Sequence, residues 1–231
     1  MFAAINPTPA IELTRVSRVY GVFAALRNVS LSIRAGASVV ILGENGAGKS
    51  TLLRLIAGLT RPSHGSLSIF GEPPRDQSHR LAYMSHETML YDELTGLENL
   101  RYFAALQPPG LTPEQALREV GLDPALPRRV GEYSQGMKQR ASLARVLLTQ
   151  PDLLLLDEPF SNLDVASAAH MVELLLHYVQ TPSSTGQKRT LLLTTHQAEL
   201  ARPLADTTLT LHRGEVVSMS QASILETGAA Q

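Results

Sequence analysis

The 231-residue chain has no cysteine and no tryptophan, and aromatic residues make up only 5% of it. Without cysteine, disulfides, zinc–thiolate sites and iron–sulfur clusters are excluded, and a reducing compartment is permitted. Charge of one sign is also missing. Lys and Arg number 20 against 21 Asp and Glu, for a net charge of −1, with no basic block and no arginine stripe. That balance argues against nucleic acid as the main partner. No apolar run approaches the ~20 residues of a membrane span; the longest are strand-like, such as Leu153 to Leu156. The first ten residues lack a basic start and a long apolar stretch, so no signal peptide is expected. These absences predict a soluble, intracellular chain that reaches a membrane only through a partner. What is abundant is core: 44% of the residues are hydrophobic, enough for one large α/β domain or a domain with a subdomain.

Patterning divides the chain. Residues 1–9 read as a loose arm, with Pro7 and Pro9 blocking regular structure. From Ile11 to Arg34 the pattern alternates, with Val29, Leu31 and Ile33 on one face, as in a half-buried antiparallel strand. Residues 65–70 repeat the style, with Leu67 and Ile69 inward. Segments 38–42, 152–156 and 190–194 are continuously apolar, which predicts strands buried on both faces of a parallel sheet covered by helices. Residues 81–85 predict a further strand. Residues 207–220 predict a hairpin turning at Arg213-Gly214, followed by a short helix from about Gln221 to Leu225.

Between these strands lies a helical insert, about 87–150, with three start signals. Thr95 with Glu98 is a capping box, and Thr112 with Gln115 is another, with Pro113 at the favoured first position. Ser134 can cap a third helix that runs toward Pro151.

The chemistry concentrates at Gly43 to Thr51, G-E-N-G-A-G-K-S-T, which satisfies G-x-x-x-x-G-K-[ST]. An apolar strand precedes it and a helical segment follows it. Such a loop aims backbone N–H groups at one anion. Gly43, Asn45, Gly46, Ala47, Gly48 and Thr51 form the cradle, Lys49 supplies a point charge for the outer phosphates, and the Ser50 hydroxyl can ligate Mg²⁺. The chain is therefore expected to bind a nucleoside triphosphate. Asp157 and Glu158 follow a buried strand and should reach the same crevice. Asp157 is suited to hold Mg²⁺, and Glu158 to orient an attacking water. His196 ends the strand at 190–194 and faces the same crevice as a phosphate sensor. Tyr20 can stack on the adenine. Ser134 and the following Gly136, at a helix start, make a second anion cradle.

Taken together, these motifs resemble the nucleotide-binding domain of ABC transporters over residues 10–220. GENGAGKST matches Walker A, and LLLLDEP matches Walker B. Y-S-Q-G-M resembles the signature, S-N-L-D at 161–164 the D-loop with Asp164, and His196 the switch histidine. The resemblance implies a P-loop core with a mainly parallel sheet, an antiparallel β subdomain and a helical subdomain, all in one domain. It implies ATP hydrolysis with Mg²⁺ and a head-to-tail homodimer. Each ATP then lies between the phosphate loop of one subunit and Ser134 and Gly136 of the other. It also implies membrane permease subunits docked near residues 86–100, at the cytoplasmic face of a bacterial membrane. The signature departs from the pattern at Tyr133, Gln135 and Met137. The family's Q-loop glutamine falls at His86, whose imidazole would replace the amide near Mg²⁺ and water and would make turnover sensitive to mildly acidic pH.

Residues 83–103 and T-T-H-Q at 194–197 are similar to one branch, the CcmA-type ATPases of haem exporters in cytochrome c maturation. Other readings stay open: the ATPase of an exporter for a drug, lipid, copper or polysaccharide, a non-transport ABC ATPase, or a P-loop kinase.

Overall fold

The computed structural model describes residues 8–183 and 186–221. Most of the loose-arm segment and most of the expected C-terminal helix lie outside them. Gln221, where that helix was expected to begin, instead ends a strand.

The strands at Ser38–Leu42 (β3), Leu81–Met84 (β5), Leu153–Asp157 (β6), Thr190–Thr194 (β7) and Thr207–His212 (β8) lie parallel, with the order β5-β6-β7-β3-β8. The hairpin partner Glu215–Gln221 (β9) closes one edge antiparallel to β8. Ile11–Tyr20 (β1), Phe23–Ile33 (β2) and His64–Ile69 (β4) form a separate antiparallel sheet in the order β2-β1-β4. Helix Lys49–Ile56 (α1) follows β3 directly.

The continuous apolar pattern has a direct structural cause. In β6, Leu153 and Leu155 pack with α1 and the small sheet, while Leu154 and Leu156 pack into the helical side. In β7 the same division separates Leu192 from Leu191 and Leu193. Neither face of these strands meets water, so no polar alternation is possible. Each fully buried leucine contributes about 1.5–3 kcal/mol of transfer free energy.

The insert holds Gly96–Ala104 (α2), Pro113–Glu119 (α3) and Gln135–Leu147 (α4), and both capping boxes form as expected. The third helix, however, stops at Leu147, short of Pro151. Gln150 takes a positive φ of 51° and its N–H turns back to the Leu147 carbonyl, so the chain has left the helix before proline can end it. A longer helix, Val165–Gln180 (α5), had no expectation attached to it; Asp164 caps it by accepting from the Ser167 N–H. A short turn, Ala198–Ala201 (α6), follows β7.

Candidate nucleotide site

The C-terminal ends of β3, β6 and β7 converge on one side of the main sheet, and the loop 43–48 rises from β3 into that space. Gly48 is the N-cap of α1 with φ 106°, and no side chain caps the helix. A Cβ there would sit 2.6 Å from the Ala25 carbonyl oxygen and 2.9 Å from Leu26, so only glycine fits. Gly43 is similarly pressed on Leu211, whose carbonyl a Cβ would strike. The amides of Lys49, Ser50 and Thr51 find no acceptor among the described residues. They are the orphan donors of a helix N-terminus, turned toward a cavity of about 540 Å³, and such donors suit phosphate oxygens.

Lys49 is 6% exposed and its ammonium has only stand-in partners. Nζ donates to the Gly43 carbonyl at 2.7 Å and the Glu44 carbonyl at 3.4 Å, and pairs with Glu158 Oε1 at 3.3 Å. The other Glu158 oxygen lies 3.0 Å from His196 Nδ1. Glu158 is thus held between two basic side chains. It sits at φ 53° with its N–H on Thr194, a left-handed backbone conformation uncommon for side-chain-bearing residues.

Asp157 is 2% exposed and accepts from three hydroxyl donors. Ser50 Oγ donates to Oδ1 at 3.0 Å, Thr194 Oγ1 donates to the same oxygen at 2.8 Å, and Tyr83 Oη donates to Oδ2 at 3.2 Å. Burial, with the negative Asp157 beside it, pushes the Tyr83 phenol up to about 12, so Tyr83 remains a donor throughout the physiological range. The Ser50 hydroxyl and the Asp157 carboxylate form an adjacent pair of hard oxygens, the donor type that suits Mg²⁺. Among the described residues no group of three His, Cys, Asp or Glu gathers to hold a metal. A cation on this pair would therefore complete its shell with phosphate oxygens and water.

Of the residues singled out in the sequence, Asn45, Gly46, Ala47, Gly48, Lys49, Ser50, Thr51, His86, Asp157, Glu158 and His196 line this one cavity. Gly43 stands behind it as an acceptor for Lys49. His86 is exposed on the wall of the cavity that Ser50 and Asp157 also line. Tyr20 does not line the cavity. It is 45% exposed at the end of β1, with the Arg18 guanidinium 4.4 Å from its ring centroid, and the aromatic on the cavity wall is Phe23. Ser134, Gly136 and Asp164 also lie outside it. Ser134 caps α4 through the Met137 N–H at 3.2 Å, and Asp164 caps α5. Hydrogen bonds from Ser167 hold the Asp164 carboxyl below its ordinary range.

Sequence reasoning missed Tyr83, Thr194, Phe23, Arg54 and Ser161. Tyr83 and Thr194 carried one available signal, a polar group in otherwise apolar strands whose partner must be another buried polar atom.

The sequence profile of the ABC transporter family matches residues 26–161. The ATP-binding protein NatA of Bacillus subtilis (strain 168) is 37% identical over 223 residues, covering 90% of this chain and 87% of that protein. A fluoroquinolones export ATP-binding protein, MT2762 of Mycobacterium tuberculosis (strain CDC 1551 / Oshkosh), is 34% identical over 208 residues, covering 87% and 67% respectively. Among solved structures, the dimeric bacterial ABC transporter cassette MJ0796 superposes with a TM-score of 0.81 at 26% identity, covering 92% of this chain and 98% of that one. A dimeric post-hydrolysis state of the same cassette, bound to ADP and Pi, gives 0.80 at 25% identity and the same coverage.

Proposed function

The chain belongs to the ABC transporter family and is an ATP-hydrolysing, ATP-binding subunit, and on that premise we propose how its site works and what it energises. The observation that carries the mechanism is Glu158, clamped between Lys49 and His196. The outer phosphates of ATP take over Lys49 and the uncapped α1 amides, which frees one Glu158 oxygen to orient water. His196 keeps hold of the other oxygen and so fixes the carboxylate. Ser50 and Asp157 would hold Mg²⁺, which would supply charge neutralisation at the phosphates. Phe23 or Tyr20 offers a face to adenine.

Two copies then close head to tail, with Ser134 and Gly136 of one against the nucleotide of the other, and with Asp164 at the junction. The test is Glu158→Gln. It should bind Mg-ATP, lose turnover by at least about a hundredfold, and shift from monomer to dimer in light scattering. Wild-type turnover in that variant would remove Glu158 from the mechanism.

The transported cargo is haem, or a haem-bearing chaperone released at a bacterial membrane. What supports this is the likeness of residues 83–103, with His86, and of the T-T-H-Q strand end to the haem-exporter branch. The competing reading is another exporter, favoured by the naming of a similar protein as a fluoroquinolones export ATPase. Among the described residues no helix is long and apolar enough to cross a membrane, and in both readings the chain works with membrane subunits. Tagged Glu158→Gln protein, recovered from native membranes with Mg-ATP and scanned for haem absorbance, separates the two. Haem with small polytopic subunits supports the first, and a permease without haem supports the second.

A further inference from the structure

A second cavity, of about 260 Å³, lies between the helical insert and the C-terminal end of α5, where residues of α3, α4 and α5 meet the chain entering β7. Arg189, the residue before β7, lines it and is 9% exposed. Its Nε is buried with no hydrogen-bond partner, and among the described residues it forms no ion pair. The guanidinium stands 4.6 Å from the Tyr178 ring centroid, and the Tyr178 hydroxyl donates to the Pro151 carbonyl, which holds the ring in place beneath it. Glu119, the last residue of α3, is exposed and lines the same cavity. It too forms no ion pair among the described residues. Partial shielding from water raises its carboxyl above the ordinary range, while Arg189 and then His177 pull it back down. Arg189 and Glu119 thus feel each other across the cavity without bonding.

An arginine keeps its charge at every working pH, and leaving it nearly buried without a counter-ion is costly. Glu119 does not close the gap, so the missing partner comes from outside. The volume falls just below the roughly 300–1,000 Å³ of sites for drug-sized ligands, which limits the occupant to a small molecule. A plain carboxylate could bond the guanidinium fork but would set a like charge against Glu119. A plain amine could meet Glu119 but would leave Arg189 unpaired. An α-amino acid carries both signs on one carbon and satisfies both residues. Much of the remaining wall is apolar, with Leu143 and Leu147 from α4 and Leu174 from α5, and such a wall favours an aliphatic side chain.

We propose that this cavity binds a free aliphatic α-amino acid of about leucine size, with its carboxylate on Arg189, its ammonium on Glu119 and its side chain against the three leucines. The site stands apart from the nucleotide cavity and shares no lining residue with it.

The test is an NMR titration of the purified full chain, carrying labelled and assigned leucine methyl groups, with three probes. These are L-leucine, 4-methylpentanoate (leucine without its amine) and 3-methylbutylamine (leucine without its carboxylate). L-Leucine should shift the methyls of Leu143, Leu147 and Leu174 and saturate below about 10 mM, and each analogue should bind at least about tenfold more weakly. Glu119→Gln, an exposed position that the fold tolerates, should lose most of the preference for leucine over 4-methylpentanoate while binding the acid no more weakly than wild type does. Arg189→Gln, its fold checked by its melting curve, should lose most of the preference for leucine over the amine. No shift at these methyls with leucine at about 10 mM overturns the site. Either analogue binding as tightly as leucine overturns the amino-acid assignment, as does a Glu119→Gln chain that discriminates like wild type.

Discussion

Tyr83→Phe isolates one hydrogen bond on the carboxylate that anchors the site. Asp157 Oδ1 has two hydroxyl donors, whereas Oδ2 has only the Tyr83 hydroxyl at 3.2 Å. Removing it leaves a charged oxygen of a nearly fully buried side chain without a donor. Hydrogen bonds to charged groups are worth about 1.5–3 kcal/mol, and a separation longer than usual for two oxygens argues for the lower end. The expected loss is therefore about 1.5 kcal/mol, read as a fall in Tm of roughly 3–6 °C for a chain of this size. The assay is thermal unfolding without nucleotide. Saturating Mg-ATP should narrow the gap, because the cation gives Asp157 another partner. The pH dependence has a fixed sign. The folded phenol titrates at about 12 against an ordinary 10. Tyr83 thus contributes stability that is full below pH 10 and is lost as pH rises toward 12. The advantage of wild type over the variant should hold to about pH 10 and shrink above it. A variant that melts within about 1 °C of wild type at neutral pH would refute the claim that Tyr83 holds Asp157.

Lys49→Ala removes the cation facing the phosphate cradle and leaves Glu158 with His196 as its one basic partner among the described residues; ATP affinity, by equilibrium dialysis, should fall at least about a hundredfold. Phe23→Ala and Tyr20→Ala decide which ring meets adenine: the residue in contact should cost about 1 kcal/mol in ATP affinity, and the cavity wall favours Phe23.

Most of the sheet was legible because burial on both faces leaves a strand no choice of residue. Leu153 to Leu156 could hardly be anything but interior. The helix starts at Thr95 and Thr112 were legible because a capping box is local chemistry, complete within four residues. What could not be read were partners brought together by the fold. Tyr83 and Thr194 come from two separate strands to the carboxylate that the phosphate-loop motif already places beside Ser50, and nothing in the spacing of the sequence brings them there. Helix α5 escaped because its apolar residues spread around much of its circumference, so no clear stripe marks it, and because Asp164 was read as part of a loop motif and not as the cap it forms. The end of α4 was misplaced because proline is a visible stop, whereas a glutamine in a left-handed conformation is not.

Ser134, Gly136 and Asp164 pose the sharpest remaining question, because each has a task inside its own subunit. Gly136 is buried in the first turn of α4, where a Cβ would lie 2.9 Å from the Ser167 Cβ and would overlap its hydroxyl. Ser167 in turn donates to Asp164. The signature, which the resemblance assigns to a partner's nucleotide, therefore meets the D-loop at one junction between α4 and α5. Gly136→Ala should destabilise the fold by roughly 1–3 kcal/mol through overpacking and should also abolish turnover. Ser167→Gly removes the atoms the new methyl strikes, at up to about 1 kcal/mol of helix propensity. In the double variant, stability should largely return; on the proposed composite site, in which Gly136 serves the partner's nucleotide as well as the junction, ATP turnover and ATP-dependent dimerisation should stay low. If turnover returns along with stability, Gly136 serves only the junction, and the composite site must be built without it.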